Sequence, residues 1–336
     1  MLVVAAPDKF LGTAGAVDVA AAIARAVEFA GAACDQAPVA AGGEGTLDVL
    51  GGAPRATAVR GPLGVQVIAE WRMRDDGTAV VEMARASGLT LAGGPAGNDP
   101  LRASTAGTGE LIAAALDAGA CRVIVGAGGS ASTDGGLGAV GALNPRRRLH
   151  AGIELIVACD VDTLFVDAAE VFAPQKGATP AQVALLRRRL ERLAQIYVRD
   201  YGVDVTELAG SGAAGGLAGG LAAAGAELVP GFVVVADALS LPERIAAADL
   251  VVTGEGTVDA ESFEGKAVGG VVDLATEAGV PVLIVAGEIL PGELPELPGS
   301  VQVVSLVARF GRERAMADVA GCVAEVVDSA VRDRAR

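Results

Sequence analysis

Residues 122–136 of this 336-residue chain read RVIVGAGGSASTDGG, and the fold can be worked out by starting from this stretch. The apolar run from Arg122 to Val125 predicts a short buried strand, and the glycine and hydroxyl residues after it predict a loop. Glycines let backbone N–H groups approach an anion closely, and hydroxyls can donate hydrogen bonds to phosphoryl or carboxylate oxygens. Asp134 could bind a metal or accept a proton. A glycine-rich turn that serves only tight packing is the alternative.

The same transition from an apolar strand to a polar loop recurs along the chain. In open α/β sheets, ligands collect at the carboxyl ends of the strands, so these loops are candidate binding segments. The segments that show the transition are LVVAAPDK at 2–9, VAAGGEGT at 39–46, TAVVEMARAS at 78–87, IELIVACDVD at 153–162 and VVTGEGTVDAESFEGK at 251–266.

The C-terminal third of the sequence indicates the fold class. From residue 245 onward, ADLVVTGEG, PVLIVAG and VQVVSLV predict strands that alternate with helical segments, which is typical of a parallel sheet. The N-terminal strand and helix have the same character, so we expect them to complete that sheet. The sequence therefore predicts an α/β protein with a Rossmann-like domain of residues 1–60 plus 241–336 and an inserted second α/β domain of residues 61–240. Two consecutive domains are the alternative.

Composition excludes several classes of function. Hydrophobic residues make up 52% of the chain, enough to bury a large core, and the formal net charge is −15. Such a charge repels a long polyanion, so we expect no nucleic-acid partner. There is no signal-peptide pattern at the start and no apolar run of the roughly 20 residues that a membrane helix needs. These features predict a soluble, cytoplasmic protein.

The rare residue types narrow the chemistry further. The four cysteines are scattered with no CxxC pair, which argues against structural zinc and against a disulfide framework. His150 is the single histidine and follows three arginines in a predicted surface segment, so a Ser-His-Asp or Cys-His unit is not expected. A general base would then be a carboxylate. The three lysines, Lys9, Lys176 and Lys266, each stand beside a turn, where a compact point charge suits phosphate.

Several candidate residues have structural alternatives. Asp8 and Lys9 could form only a local ion pair in a turn. Glu82 lies in an apolar run, where a carboxylate needs either a partner or a function. Asp160 and Asp162 share a face of an extended chain and could present oxygens to Mg²⁺, or could begin a solvated loop.

Three segments predict helix starts. Thr13 is predicted to cap the first helix, and the hydroxyls of STAGTG at 104–109 are predicted to cap a second. Thr179, Pro180 and Gln182 predict the start of a long helix. Its predicted buried stripe consists of Val183, Leu186, Leu190, Leu193 and Tyr197.

Two nucleotide-binding motifs are missing. The segment 39–46 suits a tight anion-binding bend, but it is not a Walker A loop, and the chain has no convincing GxGxxG fingerprint. A nucleotide would therefore bind through a motif other than these two.

In their order and number, these motifs resemble the bacterial type I glycerate kinase family over nearly the whole chain. The matching segments are APD at 6–8, GGEGT at 42–46, GPLG at 61–64, EMA and SGL within 82–89, TxGTGEL at 105–111, GGSA and DGG within 128–136, VACDV at 157–161, PQKGAT at 174–179, GAAGGL at 212–217, and TGEG, DA and GKA within 253–267.

The resemblance implies ATP- and Mg²⁺-dependent phosphorylation of D-glycerate, usually at the 2-hydroxyl, with the active site in the cleft between two α/β domains. Phosphoryl transfer requires mainly positioning and charge neutralisation, which agrees with lysines, glycine-rich loops and acids. The implied catalytic residues are Asp8, Lys9, Asp134, Lys176 and Lys266, and the implied metal ligands are Asp160 and Glu255. The implied substrate- or nucleotide-binding residues are Gly42, Gly43, Glu44, Gly45, Thr46, Glu82, Ser87, Gly128, Gly129, Ser130, Thr133, Gly254, Glu255 and Asp259.

The chain departs from the family pattern at its first motifs. Lysine stands at Lys9 instead of at Leu11, and Ala41 stands where the family has an acid. These departures leave open a kinase of another small hydroxy acid, phosphorylation at the 3-hydroxyl of glycerate, or a catalytically silent ligand-binding homologue. The assembly state is also left open, a homo-oligomer included.

Overall fold

A computed structural model describes residues 1–10, 12–149, 152–263, 265–290 and 294–334. The chain divides into two compact units. The first combines residues 1–41 with residues 232–336, and the second is the continuous segment 42–231. The predicted boundaries of 1–60, 61–240 and 241–336 differ from these, because the strand at residues 53–60 pairs with the sheet of the second unit.

The first unit is built on a parallel sheet. The strands are β1 (Leu2–Ala5), β2 (Ala33–Gln36), β9 (Leu250–Val258), β10 (Val282–Ile289) and β11 (Val301–Ser305). Within the described residues these five strands have the spatial order β11-β10-β9-β1-β2, and each neighbouring pair is parallel. The helices are α1 (Ala16–Phe29), α11 (Gly231–Ala238, which begins at the boundary), α12 (Leu241–Ala246), α13 (Ala267–Glu277), α14 (Leu306–Phe310), α15 (Arg312–Ala317) and α16 (Val319–Arg334).

The central strands of this sheet are almost continuously apolar because they are covered rather than solvated. The first five residues of β10, Val282–Ala286, are all buried, which is typical of a parallel strand between helices. Helices α1 and α16 pack together over β1, β9 and β10, and Val19, Ile23 and Val323 are buried there. The Rossmann-like parallel sheet predicted from the sequence is therefore confirmed, with β1 inserted between β2 and β9.

The second unit contains a mixed sheet. The strands are β3 (Ala53–Arg60), β4 (Gln66–Met73), β5 (Thr78–Glu82), β6 (Arg122–Gly126), β7 (Glu154–Cys159) and β8 (Glu227–Pro230). In the described residues these six strands follow the order β3-β4-β5-β6-β7-β8, antiparallel from β3 to β5 and parallel from β5 to β8. The helices are α2 (Thr46–Leu50), α3 (Ala84–Ser87), α4 (Gly94–Gly97), α5 (Ala106–Asp117), α6 (Leu137–Leu143), α7 (Pro145–Arg148), α8 (Ala168–Phe172), α9 (Pro180–Tyr201) and α10 (Ala213–Ala223).

Helix α9 is the longest helix of the second unit, and its sequence explains its limits. Thr179 and Gln182 form a reciprocal capping box at its start, as the sequence predicted, and Gly202 ends it in a left-handed conformation. Leu190, Leu193 and Tyr197 are buried on one face against α8 and its neighbourhood. The aliphatic stripe predicted for this helix therefore forms its buried side.

Thr13 does not cap the first helix as predicted. Helix α1 begins at Ala16 after Gly15, with no side-chain cap, and the Thr13 hydroxyl donates a hydrogen bond to the Phe10 carbonyl instead. The chain makes an additional turn between Phe10 and Ala14, which moves the start of the helix further along the chain. None of the helices in the described ranges combines the length and the apolarity needed to span a lipid bilayer.

Candidate active site

In the first unit, two acidic residues lie near the point where the order of the strands in the sheet reverses. From β1 the chain continues to β2 on one side, whereas β10 and β11 follow β9 on the other, so the order reverses between β1 and β9. Open α/β sheets bind ligands outside the carboxyl ends of strands at such a point. Asp8 follows β1 closely, and Glu255 lies in the carboxyl-terminal part of β9.

Asp8 and Glu255 are two carboxyl groups in a poorly solvated environment. Asp8 is 9% exposed, and burial raises its pKa, while the hydrogen bond from the Lys9 backbone N–H acts in the opposite direction. Burial also raises the pKa of Glu255; a hydrogen bond with Ser262 opposes that shift, and the nearby negative charge of Asp8 adds to it. The Glu255 Oε1 atom is buried without a hydrogen-bond partner in the described structure. Two close carboxylates with an open oxygen are suited to a hard cation.

The other candidates of the first unit have more local roles. The Asp259 carboxylate accepts a hydrogen bond from the Ser262 N–H at 3.0 Å and so caps a short 3₁₀ helix. Lys266 is half-exposed at the N-cap of α13 and pairs with Glu261 at 3.1 Å. Gly254 lies against β10, where a Cβ would be 1.9 Å from the Val285 carbonyl oxygen. Lys9 is half-buried next to Asp8.

In the second unit, Glu82 is enclosed by the loop at residues 42–46. Its side chain is 2% exposed, and Oε1 accepts hydrogen bonds from the N–H groups of Gly45 at 2.9 Å and Leu47 at 3.0 Å. Its other oxygen lies 3.2 Å from Arg85 Nε. A carboxylate of the protein therefore occupies the first turn of α2, and the bend that the sequence predicted to bind an external anion is held by Glu82. Glu44, by contrast, is exposed.

The glycines around this loop allow two backbone segments to touch. A Cβ on Gly42 would lie 2.9 Å from Gly231 Cα, and one on Gly128 would lie 3.1 Å from Gly43 Cα. Gly42 and Gly129 also have positive φ angles of 82° and 67°. The close packing of these segments brings the loop after β6 against the loop before α2.

The hydroxyl residues of this region bond mainly to one another and to nearby backbone. The Thr46 hydroxyl donates to the Gly43 carbonyl at 2.7 Å, and the Ser87 hydroxyl, fully buried, accepts from Thr108 at 2.9 Å. The Ser130 hydroxyl accepts from the Ser132 N–H at 3.1 Å. These side chains therefore shape the loops from inside.

Asp134 organises the start of helices α5 and α6. Its oxygens accept hydrogen bonds from the Thr105 N–H at 2.8 Å, the Thr105 hydroxyl at 2.9 Å, and the N–H groups of Gly136 and Gly138 at 3.1 and 3.3 Å. Burial raises the pKa of Asp134, while these hydrogen bonds partly offset the effect. Of the hydroxyls predicted to cap α5, that of Ser104 accepts a hydrogen bond from the Ala106 N–H at the start of the helix at 3.2 Å, whereas that of Thr105 bonds to Asp134.

Lys176 is the most unusual charge of the second unit. Its side chain is 4% exposed, and its Nζ donates to the Ser132 carbonyl at 2.5 Å. Burial lowers the pKa of Lys176 to about 7, although the nearby Asp134 charge favours protonation. An ammonium group has three N–H donors, so a buried lysine with one carbonyl acceptor has capacity to bind an anion.

Asp160 and Thr133 complete the predicted set. Asp160 follows β7, and its Oδ1 accepts a hydrogen bond from the Gly231 N–H at 2.9 Å. Across the described ranges, no three His, Cys, Asp or Glu side chains cluster as a ready metal site. Thr133 is buried, and its hydroxyl is without a hydrogen-bond partner in the described part of the chain.

Comparison with known proteins gives a consistent result. A family model described as the glycerate kinase family matches residues 3–148 and 142–334. The chain belongs to the glycerate kinase family. It is 39% identical over 328 residues to the glycerate 2-kinase of Escherichia coli K12, with 86% of each chain covered. It is also 39% identical over 327 residues to the glycerate kinase of Bacillus subtilis 168, with 86% of this chain and 85% of the relative covered.

A solved structure agrees with this membership. The protein from Salmonella typhimurium LT2 that is provisionally named glycerate kinase 2 matches with a TM-score of 0.80 and 35% identity, over 99% of both chains. The family resemblance and the two-domain α/β fold predicted from the motifs are thereby confirmed, as is the expected class of enzyme, a kinase family.

Glycerate kinase membership directs attention to residues that sequence reasoning missed. Thr105 lies inside the TxGTGEL motif, but its role as the partner of Asp134 depends on a contact between residues 29 positions apart. Asn98 has no motif around it; its Nδ2 donates to the carbonyls of Ala131 and Lys176 and so fixes the two loops together. Leu11 and His150 lie outside the described residues.

Proposed function

We propose that this protein transfers the terminal phosphoryl group of ATP to the 2-hydroxyl of D-glycerate. The observation that carries the proposal is the similarity over most of the chain to named glycerate kinases, one of them a glycerate 2-kinase. The charged groups within each unit support it. Phosphoryl transfer depends on positioning and on stabilising negative charge, and both units contain groups suited to that task.

In the first unit, Glu255 is the proposed Mg²⁺ ligand. Its buried, unpartnered Oε1 beside Asp8 fits an ion that usually takes one or two carboxylates and fills its other positions with water and phosphate oxygens. When bound, Mg²⁺ supplies charge neutralisation on the phosphates. Asp160 of the second unit is the alternative ligand suggested by the sequence.

The start of α13 is the proposed contact for nucleotide phosphates. Helix α13 follows β9, so its N-terminus lies at the edge of the sheet that carries Glu255. It has no side-chain cap, and Lys266 stands at its N-cap position. Backbone N–H groups at a helix N-terminus and a lysine point charge both favour phosphate.

Within the first unit Asp8 is the proposed proton acceptor, and within the second unit Lys176 is the proposed anion-binding group. Asp8 has a pKa raised by burial, which makes it a better proton acceptor than an ordinary aspartate for the attacking hydroxyl. Lys176 would bind the carboxylate or a phosphoryl oxygen. Burial disfavours its charged ammonium form, and a bound anion would stabilise that form again. Asp134, whose oxygens already accept several hydrogen bonds, is proposed as a positioning residue.

The test is ADP release by the purified full-length protein with Mg²⁺–ATP and D-glycerate, followed by enolase coupling. We expect glycerate-dependent ADP release, and a product that enolase consumes directly, as 2-phosphoglycerate would be. A requirement for a mutase before enolase would place the phosphoryl group on the 3-hydroxyl. ADP release that does not depend on glycerate, or none at all, would contradict the proposal, and a panel of small hydroxy acids would then identify the acceptor.

Variants of the two units test the proposed residues separately. We expect Lys176→Met and Glu255→Gln each to lower kcat/KM by about 10²-fold or more, because each removes a charge from the stabilisation of the transition state. Glu255→Gln should also weaken Mg²⁺–ADP binding measured by calorimetry. The exposed Arg188 on α9 provides a control, and Arg188→Glu should retain activity. Unchanged kinetics in both test variants would remove these residues from the site.

A further inference from the structure

A cavity of about 470 Å³ lies in the second unit. Three segments line it: residues 100–104, residues 133–138 and one face of α9. Its volume is in the range of pockets that bind small organic molecules. Its walls contain atoms that no step of the proposed phosphoryl transfer uses.

The walls of the cavity are mainly apolar. The aliphatic surface comes from five side chains: Leu101, Leu186, Leu190, Leu193 and Ile196. Such a surface does not satisfy a three-carbon acid that carries two hydroxyls, because each hydroxyl moved out of water without a hydrogen bond costs about 1–3 kcal/mol. The cavity is therefore better suited to a molecule with an apolar body than to glycerate.

Three arginines add positive charge to this apolar lining. Arg102, Arg189 and Arg192 all line the cavity and are exposed. Arg189 donates to the Leu101 carbonyl at 2.9 Å, while neither Arg102 nor Arg192 forms an ion pair within the described ranges. In a chain with a net charge of −15, this grouping runs against the overall charge and is complementary to an anion.

Thr133 provides a polar group in the wall. It is 2% exposed, lines the cavity, and its hydroxyl has no hydrogen-bond partner among the described residues. A buried hydroxyl without a partner is destabilising, so it has a reason to bond to a ligand. Its neighbour Asp134 also lines the cavity, but the oxygens of Asp134 already accept hydrogen bonds from Thr105, Gly136 and Gly138.

We infer that this cavity is a second ligand site, which binds a small amphipathic organic anion with its apolar body against α9 and its anionic group at the three arginines. The Thr133 hydroxyl donates a hydrogen bond to the ligand inside the cavity. The site shares the loop at residues 128–136 with Lys176, because Ser132, next to Thr133, accepts the Lys176 hydrogen bond. The cavity and Lys176 therefore adjoin the same loop.

The experiment is a fluorescence titration of the full-length protein with 8-anilinonaphthalene-1-sulfonate, an aromatic body that carries one sulfonate. We expect saturable binding of one probe per chain. The double variant Arg102→Glu with Arg192→Glu should weaken binding by about tenfold or more, because it reverses two charges at the mouth of the cavity. Thr133→Val should weaken it less, by a few fold, through the loss of one hydrogen bond.

Two controls separate this site from general apolar binding and from the substrate site. Arg188→Glu changes a charge on the same helix outside the cavity and should leave the affinity unchanged. Circular dichroism melting of each variant confirms that it is folded. Equal weakening by Arg188→Glu, undiminished binding by the double variant, or binding of several probes without saturation would overturn the inference. So would displacement of the probe by D-glycerate or by Mg²⁺–ATP, which would make the cavity part of the substrate site.

Discussion

At the scale of single residues, most of the buried polar groups of this protein bond to its own loops. Glu82 binds the first turn of α2, and Asp134 joins the starts of α5 and α6. Both are acids that the motifs marked as candidates for external ligands. Lys176 differs, since it is buried with a carbonyl as its hydrogen-bond acceptor and has a lowered pKa. The free energy of unfolding should therefore depend on the protonation of Lys176.

Lys176 should make the free energy of unfolding depend on pH. Its pKa is about 7 in the folded protein, against 10.5 for an ordinary lysine, so between these pH values the unfolded chain holds more protons and stability rises with pH. We expect the stability of the wild type, relative to Lys176→Met, to increase between about pH 7 and 9, by up to about 1.4 kcal/mol per pH unit. Urea denaturation at several pH values measures this difference.

Subtracting the stability of Lys176→Met from that of the wild type removes the contribution of every group that titrates in both proteins. The thiols of Cys34 and Cys159, whose pKa values burial raises to about 11, are present in both. Lys266→Met removes the half-exposed lysine that pairs with Glu261 and controls for the loss of one positive charge from the chain. Parallel stability curves for the wild type and Lys176→Met would contradict the assignment of a lowered pKa to Lys176.

Among the helices, α10 begins with a left-handed turn that its glycine-rich sequence makes possible. Its first turn contains Ala214, Gly215 and Gly216 with positive φ angles of 54°, 74° and 86°, so the chain turns left-handed before it continues as a regular helix. This turn lies against the loop of residues 132–136, where a Cβ on Gly215 would be 2.0 Å from the Ser132 carbonyl oxygen and 2.9 Å from Lys176 Nζ. The repeated glycines therefore permit close approach and are not a flexible linker.

Gly215→Ala should be strongly destabilising, while Gly141→Ala should not. The first places a methyl group on backbone atoms at a positive φ, and we expect a loss of about 3 kcal/mol or more in the free energy of unfolding. Gly141 is in helix α6, and a Cβ there would meet no atom within 4 Å, so alanine should add about 0.5–1 kcal/mol. Chemical denaturation of both variants measures the contrast, and equal effects would argue against the tight contact.

At the scale of the whole molecule, each unit has its own sheet and its own buried clusters. Val3, Ile23 and Val323 belong to a cluster made only of first-unit residues. Trp71, Leu111 and Leu217 belong to a cluster made only of second-unit residues. The second unit is continuous along the chain, whereas the first is assembled from two segments. A single fragment of the chain can therefore contain the whole second unit but not the whole first unit.

A fragment of residues 42–231 should fold alone. It retains a six-stranded sheet and the helices that cover it, and its size is well within the range of independent domains. We expect a cooperative urea transition followed by circular dichroism. A fragment of residues 232–336, matched as a control, lacks β1 and β2 and should not show one, because β1 lies between β2 and β9 in the sheet. A non-cooperative transition for fragment 42–231 would show that its core is incomplete.

The parts of this protein that could be predicted from sequence are those that depend on local pattern. Apolar runs predicted the strands β1, β9, β10 and β11, and the pair Thr179 and Gln182 predicted the start of α9, because periodicity and capping act within a few residues. The motifs also predicted the family. Thr13 shows the limit of such patterns, since a turn between Phe10 and Ala14 competed with its capping role.

The α/β class and the family follow from the order of short local patterns along the chain, which is why both could be predicted from the residues alone. Which polar residues form hydrogen bonds within the protein depends instead on contacts between distant segments. Glu82 bonds to residues 35 and 37 positions away, Asp134 to Thr105, and Lys176 to the carbonyl of Ser132. These contacts depend on how strands pair and loops pack. The same folding that buries a charge also sets its pKa, through the water it removes and the donors it supplies.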